Sequence, residues 1–227
     1  MPKDKIIQIS FSNKTFDAVI CLNADIPGIE VLNLLRGIPL YAADGAAEKL
    51  INLGRIPNFI IGDMDSFRVD KYRNYLPQER IIKISEQETN DFEKNLKFAL
   101  KNNKKDVLVI GFHGGELEHT FNNWSVFSRY ANALNLCIYD LGRYAFSMKK
   151  SFEMEVKSGE VISIIPQPKV KITTHNLKWK LDGEILEMGF REGARNIAAS
   201  EIIQLEIHEG EILLFIDARL PFCPVYE

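Results

Sequence analysis

Four aspartates are the residues whose chemistry bears first on function: Asp44, Asp63, Asp65 and Asp91. Asp44 stands in AADG, Asp63 and Asp65 in IGDMDS, and Asp91 in ETND. Two unit charges 4 Å apart repel by roughly 4 kcal/mol at an effective dielectric of 20. Carboxylates gathered in one place therefore take up protons or hold a cation. A small hard cation with oxygen ligands, Mg²⁺ above all, suits such a set, and it commonly shares its shell with phosphate oxygens. Each string also has a plainer reading by itself. A single D-x-D is ordinarily a solvated turn, and Asp-Gly is a turn dipeptide. An acid at a helix start complements the helix dipole.

The string GFHGGELEHTFNN, from Gly111 to Asn123, is the second candidate. Gly111, Gly114 and Gly115 let the backbone approach a ligand closely, and free N–H groups at a helix start favour an anion. The pattern is neither a Walker A loop nor G-x-G-x-x-G. A tight strand-to-helix turn that needs positive φ explains the glycines equally well. His119 and Asn123 lie four residues apart on one helical face, suited to a nucleotide or to polar capping. His113, His175 and His208 have no metal-ligand spacing.

These residues need a frame to bring them together. Short apolar runs at 17–22, 39–43, 58–61, 80–84, 106–110 and 136–139 read as strands. Helical patterns lie between them at 46–53, 69–76, 91–102 and 120–134. In the third helix Phe92, Leu96, Ala99 and Leu100 share a face, Asn90 is the N-cap and Glu93 its capping-box partner. Alternating strands and helices imply a mainly parallel sheet covered on both faces. Ligands of such sheets bind outside the carboxyl ends of the strands. The four aspartates and the glycine loop all follow strands, so they fall along one edge. After about Lys150 the rhythm becomes all-β, with strands at 152–156, 161–165, 170–174, 202–207 and 212–216. The expected organisation is an α/β domain at 1–145 followed by a small β-sandwich at 150–227.

Composition excludes several classes. The 227 residues are 46% hydrophobic and 26% charged, ordinary for a globular protein. A net charge of −3 and the lack of a basic tail argue against nucleic-acid binding. Cys21, Cys137 and Cys223 are too widely spaced for a zinc site and too few for a disulfide framework. No run of about 18 apolar residues suggests a spanning helix. The N-terminal stretch lacks the apolar core of a signal peptide. A cytoplasmic location follows as the expectation.

Several strings together resemble the thiamin pyrophosphokinase family: ADGAAEKLINLGRIPNFIIGDMDS, EQETNDFEKNL, GFHGGELEHTFNN and THNLKWKL, in the family's order. The resemblance spans nearly the whole chain. It implies an ATP-binding α/β domain, a β-sandwich that helps bind thiamin, and a homodimer. The implied reaction transfers pyrophosphate from ATP to the thiamin hydroxyl and releases AMP. Asp44, Asp63, Asp65 and Asp91 would surround Mg²⁺, with Asp63 or Asp91 as the base. Gly45, Ser66, Lys94, Gly114, Gly115, Glu118, His119 and Asn123 would line the ATP site. Gln87, Trp179, Arg195 and Asn196 would serve thiamin.

Three departures stand out. Glu116 and Glu118 occupy a loop that commonly carries arginine, Arg195-Asn196 replaces Ser-Asn, and Glu86-Gln87-Glu88 replaces D-Q-D. Arg195 either supplies the charge that position 116 lacks or is a plain surface residue. Two alternatives remain at this stage. One is a D-x-D metal-dependent phosphatase or other phosphotransferase. The other is a non-catalytic thiamin- or nucleotide-binding module.

Overall fold

A computed structural model describes residues 5–72 and 76–227. The chain divides into two compact units, Thr15–Leu141 and Gly142–Glu227, the latter joined by the residues up to Lys14. The strand that opens the chain, β1 (Ile7–Ser10), belongs to this second unit.

In the first unit strands and helices alternate: β2 (Ala18–Cys21), α1 (Ile29–Leu34), β3 (Leu40–Ala43), α2 (Ala46–Asn52), β4 (Phe59–Gly62) and α3 (Val69–Tyr72). They continue with β5 (Ile81–Lys83), α4 (Asp91–Lys101), β6 (Asp106–Ile110), α5 (Leu117–Tyr130) and β7 (Asn135–Asp140). The strands lie in the order β5-β4-β3-β2-β6-β7, and every pairing is parallel. Every residue of β2, β3 and β6 is buried, as the continuous apolar runs AVIC, LYAA and DVLVI require in a sheet covered on both faces. Strand order reverses between β2 and β6, the point at which ligands of such sheets bind outside the carboxyl ends of the strands.

Some elements differ from the sequence reading. Helix α1 has only six residues, too short for its periodicity to register. Helix α5 begins at Leu117, not Thr120, because the glycine turn ends at Gly115 and the helix starts directly behind it. It ends at Tyr130 and gives way to a turn at Ala131. Helix α3 is described over Val69–Tyr72, and part of its expected extension to residue 76 lies outside the described residues. Asn90 does cap α4, accepting from Glu93 N at 2.9 Å. The Glu93 side chain does not complete the capping box. It turns to Arg129, Tyr130 and Lys97.

The second unit contains β1, β8 (Arg143–Met148), β9 (Phe152–Glu155), β10 (Val161–His175), β11 (Glu184–Glu187), β12 (Gly193–Ile197), β13 (Ile202–Asp217) and β14 (Val225–Tyr226). Its pairings are antiparallel apart from β1 with β9. The strand pairings of the chain are thus mixed. The sequence pattern places residues 1–14 in the α/β domain, but β1 pairs with β9 and β14, which carries it into the second unit. Residues 143–145 move likewise, because β8 pairs with β13 along its whole length.

Four expected strands merge here into two long ones. β10 runs through Pro166 and Pro168, and β13 runs through Gly210, with register shifts opposite both. Strand β10 alternates buried Ile162, Ile164, Val170 and Ile172 with outward residues, the period-2 pattern of one covered face. All three cysteines are buried. Among the described residues no helix is long and apolar enough to cross a membrane.

Gly210 is a local test of the long strand pair. Its φ is +90°, and a Cβ there would sit 2.2 Å from Lys169 O. Gly210→Ala is expected to destabilise the protein by about 2 kcal/mol or more, read by thermal or denaturant unfolding.

Candidate active site

The carboxyl ends of the parallel strands open into a cleft of about 590 Å³. Asp44 follows β3 directly and is 2% exposed. Its φ is +36°, a conformation that few residues other than glycine adopt. Two hydrogen bonds hold it there: Ser66 N donates to Oδ2 at 2.9 Å and Phe67 N to Oδ1 at 3.1 Å. The IGDMDS turn after β4 thus folds back onto the aspartate of the neighbouring strand. Burial, with further repulsion from Asp91, pushes the Asp44 carboxyl up to about 6 despite these backbone donors.

Asp63 sits at the end of β4 in a different environment. Gln87 Nε2 donates to its Oδ2 at 3.0 Å, and this bond holds its carboxyl below the usual range. Asp65 accepts from Ser66 Oγ at 2.9 Å. Oxygens of Asp44, Asp63 and Asp65 all lie within 4.8 Å of one another. A hard divalent cation with oxygen ligands about 2.0–2.6 Å away fits this donor set with small side-chain adjustments.

Asp91 lines the same cleft but is not a member of that three-carboxylate group. It opens α4 beside β4. Burial raises its carboxyl above the usual range, while Lys94 Nζ, 3.2 Å from Oδ1, opposes the rise. Gly62 makes this proximity possible. A Cβ at that position would lie 2.8 Å from Asp44 Cβ and 3.1 Å from Asp91 Cγ. Asn95, fully buried, ties α4 to β4 by donating to Asp91 O at 2.8 Å and Ile61 O at 3.2 Å. The sequence signal for Asn95 is an amide on the apolar face of α4.

Opposite the aspartates stands the glycine loop. Gly111 has φ +65°, and a Cβ there would meet Leu22 O at 2.3 Å, so only glycine lets β6 and β2 run together at the crevice. Gly114, Gly115 and His119 line the cleft, as do Gly45, Ser66, Lys94, Gln87 and Asn123. Asn123 also braces the loop by donating to Phe112 O at 3.2 Å. His119 pairs with Glu116 at 3.2 Å. Glu118 is exposed and does not line the cleft, because the first turn of α5 points it away. Asn23, Glu93, Asn122 and Arg129 also line it; of these only Glu93 stands at a recognisable spacing, that of a capping box.

Trp179, Arg195 and Asn196 belong to the second unit. Trp179 is 54% exposed, so it is not a core aromatic, and Lys178 Nζ lies 4.7 Å from its ring centre. Asn196 is buried and fixes the Trp179 backbone, accepting from its N at 3.1 Å and donating to its O at 2.6 Å. Arg195 is exposed with φ +59°, and its backbone N donates to Ser163 Oγ at 2.9 Å.

Residues 38–138, which carry the aspartates and the glycine loop, match the family described as "Thiamin pyrophosphokinase, catalytic domain". Over these residues the chain is similar to that catalytic domain. Relatives of similar length agree. Thiamine pyrophosphokinase 1 of Oryza sativa subsp. japonica is 26% identical over 217 residues, covering 83% of this chain and 82% of the relative. Thiamine pyrophosphokinase 2 of Arabidopsis thaliana is 26% identical over 239 residues, covering 92% and 89%. The crystal structure of yeast thiamin pyrophosphokinase superposes with a TM-score of 0.74 at 19% identity, covering 96% of this chain and 93% of that one, which establishes a shared fold. Asp44, Asp63, Asp65 and Asp91 all fall inside the matched segment, as does every residue lining the cleft from Ala43 onward.

The raised Asp44 carboxyl gives the domain a pH signature. The native state favours its protonated form, so the stability it contributes as an acid is lost as pH rises from about 4 through about 6. A cation needs the ionised form and must displace that proton. Divalent-ion affinity, measured by calorimetry from pH 5 to 8, is expected to level off above about 7 and to fall by up to about tenfold per unit below about 6, with proton release.

Proposed function

We propose that the chain catalyses Mg²⁺-dependent transfer of pyrophosphate from ATP to the hydroxyl of thiamin, giving thiamin diphosphate and AMP. The observation that carries this reading is the group of Asp44, Asp63 and Asp65 with oxygens within 4.8 Å, set in one cleft with the glycine loop. The names of the thiamine pyrophosphokinase relatives support thiamin as the acceptor and pyrophosphate as the group transferred.

Mg²⁺ held by these aspartates would neutralise the ATP phosphates and align the β-phosphoryl group for attack. Everything else falls to the protein. The thiamin oxygen bonds to the β-phosphorus, the bond from that phosphorus to the bridging α-oxygen breaks, and AMP leaves with the electron pair. The hydroxyl proton must pass to a base. Asp91 fits that role better than Asp63, because burial raises its proton affinity while Gln87 lowers that of Asp63. The glycine loop and the start of α5 present backbone N–H groups suited to phosphate oxygens. Orientation of two bound substrates supplies much of the acceleration in such transfers.

The remaining assignments complete the proposal. Gln87, Trp179, Arg195 and Asn196 bind thiamin, Trp179 through its exposed ring. Gly45, Ser66, Lys94, Gly114, Gly115, His119 and Asn123 serve ATP. The strands of Gly142–Glu227 pack as a sandwich, and the protein works as a cytoplasmic homodimer.

The test is to incubate the protein with ATP, MgCl₂ and thiamin and to resolve the products by chromatography. AMP and thiamin diphosphate are expected in equal amounts. Asp91→Asn is expected to slow turnover by about 10²–10⁴-fold, the usual worth of a general base. Asp63→Asn is expected to lose divalent-ion affinity as well. ADP or free phosphate in place of AMP would sink the reading in favour of a single-phosphoryl transferase or a phosphatase.

A further inference from the structure

The cleft is acidic in a way that the proposed chemistry must answer. Its lining holds the four aspartates together with Glu88, Glu93 and Glu116. Only Lys94 and Arg129 oppose them as permanently charged cations among the described residues. A nucleotide polyphosphate brings further negative charge, so the placement of these cations governs its binding. Lys94 is already committed. It is 2% exposed, and its Nζ lies 3.2 Å from Asp91 Oδ1.

Arg129 is placed differently. Its side chain is 56% exposed, and its Nη2 donates to Glu93 Oε2 at 2.8 Å. A guanidinium carries five N–H donors in a planar fork. One contact to Glu93 leaves most of them for a ligand. Glu93 in turn is 7% exposed, accepts from Tyr130 Oη at 3.0 Å, and has Lys97 Nζ 3.3 Å from Oε1. A buried, triply contacted carboxylate thus aims a half-exposed arginine that lines the cleft. This support limits the rotamer freedom that weakens an ordinary surface ion pair.

We propose that Arg129 is a substrate-binding residue that contacts the polyphosphate of ATP. The assignment rests on the ATP reading above. A guanidinium–phosphate contact is a charge-assisted hydrogen bond.

The experiment compares Arg129→Gln, Arg129→Lys and Lys97→Gln with the unmodified protein. It reads the affinity for a non-hydrolysable ATP analogue with Mg²⁺, the KM for ATP and the KM for thiamin. Arg129→Gln is expected to weaken analogue affinity and raise the KM for ATP by about tenfold or more, the scale of a lost charged hydrogen bond. The thiamin KM should stay within about twofold, and Arg129→Lys should recover part of the loss. Lys97→Gln removes a cation from the same Glu93 carboxylate but outside the cleft, and it should leave analogue affinity unmoved. If Lys97→Gln matches Arg129→Gln, Arg129 merely neutralises Glu93 and the proposal falls. It falls equally if Arg129→Gln leaves analogue affinity within about twofold. An unmodified protein that binds the analogue without forming AMP would overturn the reaction, while the variants would still decide the role of Arg129. One that binds no nucleotide would overturn both.

Discussion

Oxygens of Asp44, Asp63 and Asp65 lie within 4.8 Å of one another, where two full charges at an effective dielectric of 20 repel by about 3 kcal/mol. Much of the local structure of the α/β unit serves to hold them against that repulsion. Asp44 occupies a strained backbone conformation, secured by two amides from the turn that carries Asp63 and Asp65. Gly62 keeps the space between Asp44 and Asp91 free of a side chain. Asn95 fastens the start of α4 to the end of β4, so Asp91 cannot drift from the group. Local strain of this kind persists only where the surrounding structure over-determines it, which is the habit of functional sites.

The same residue type is then given different properties by its surroundings. Burial raises Asp44 and Asp91, while a single amide donor lowers Asp63. A carboxylate held ionised is suited to a cation, and one with raised proton affinity is suited to accept a proton. This separation turns a crowd of acids into a set of distinct roles. Glu93 extends the pattern away from the cation. It is an acid whose neighbours make it a mount for Arg129, not a ligand.

Much of this was legible in the residue pattern because parallel sheets have strong rules. Continuous buried runs such as DVLVI at 106–110 cannot be mistaken for half-exposed strands, and β6 spans those same residues. Once strands and helices alternate, residues just after strands must share an edge, and Asp44, Asp63, Asp91 and Gly114 all line one cleft there. Legibility failed where the deciding partner is distant in sequence. Glu93 has the spacing of a capping-box acid, yet Arg129, 36 residues away, takes its side chain. The register of β1 is set by β9 and β14, more than a hundred residues on, so no local signal could assign it to the second unit.

The sequence by itself determined the kinds of element, the edge on which the acids gather, and the family strings that name thiamin and ATP. These depend on periodicity and on short-range covalent order, which the chain carries whatever it packs against. Only the tertiary structure decided which three carboxylates form the tight group, that Asp91 stands beside it, and that Glu118 turns away from the cleft. It alone decided the opposite proton affinities of Asp63 and Asp91, and it alone brought Arg129 to the cleft. Electrostatic interaction depends on distance and burial, and both are properties of side chains brought together by folding.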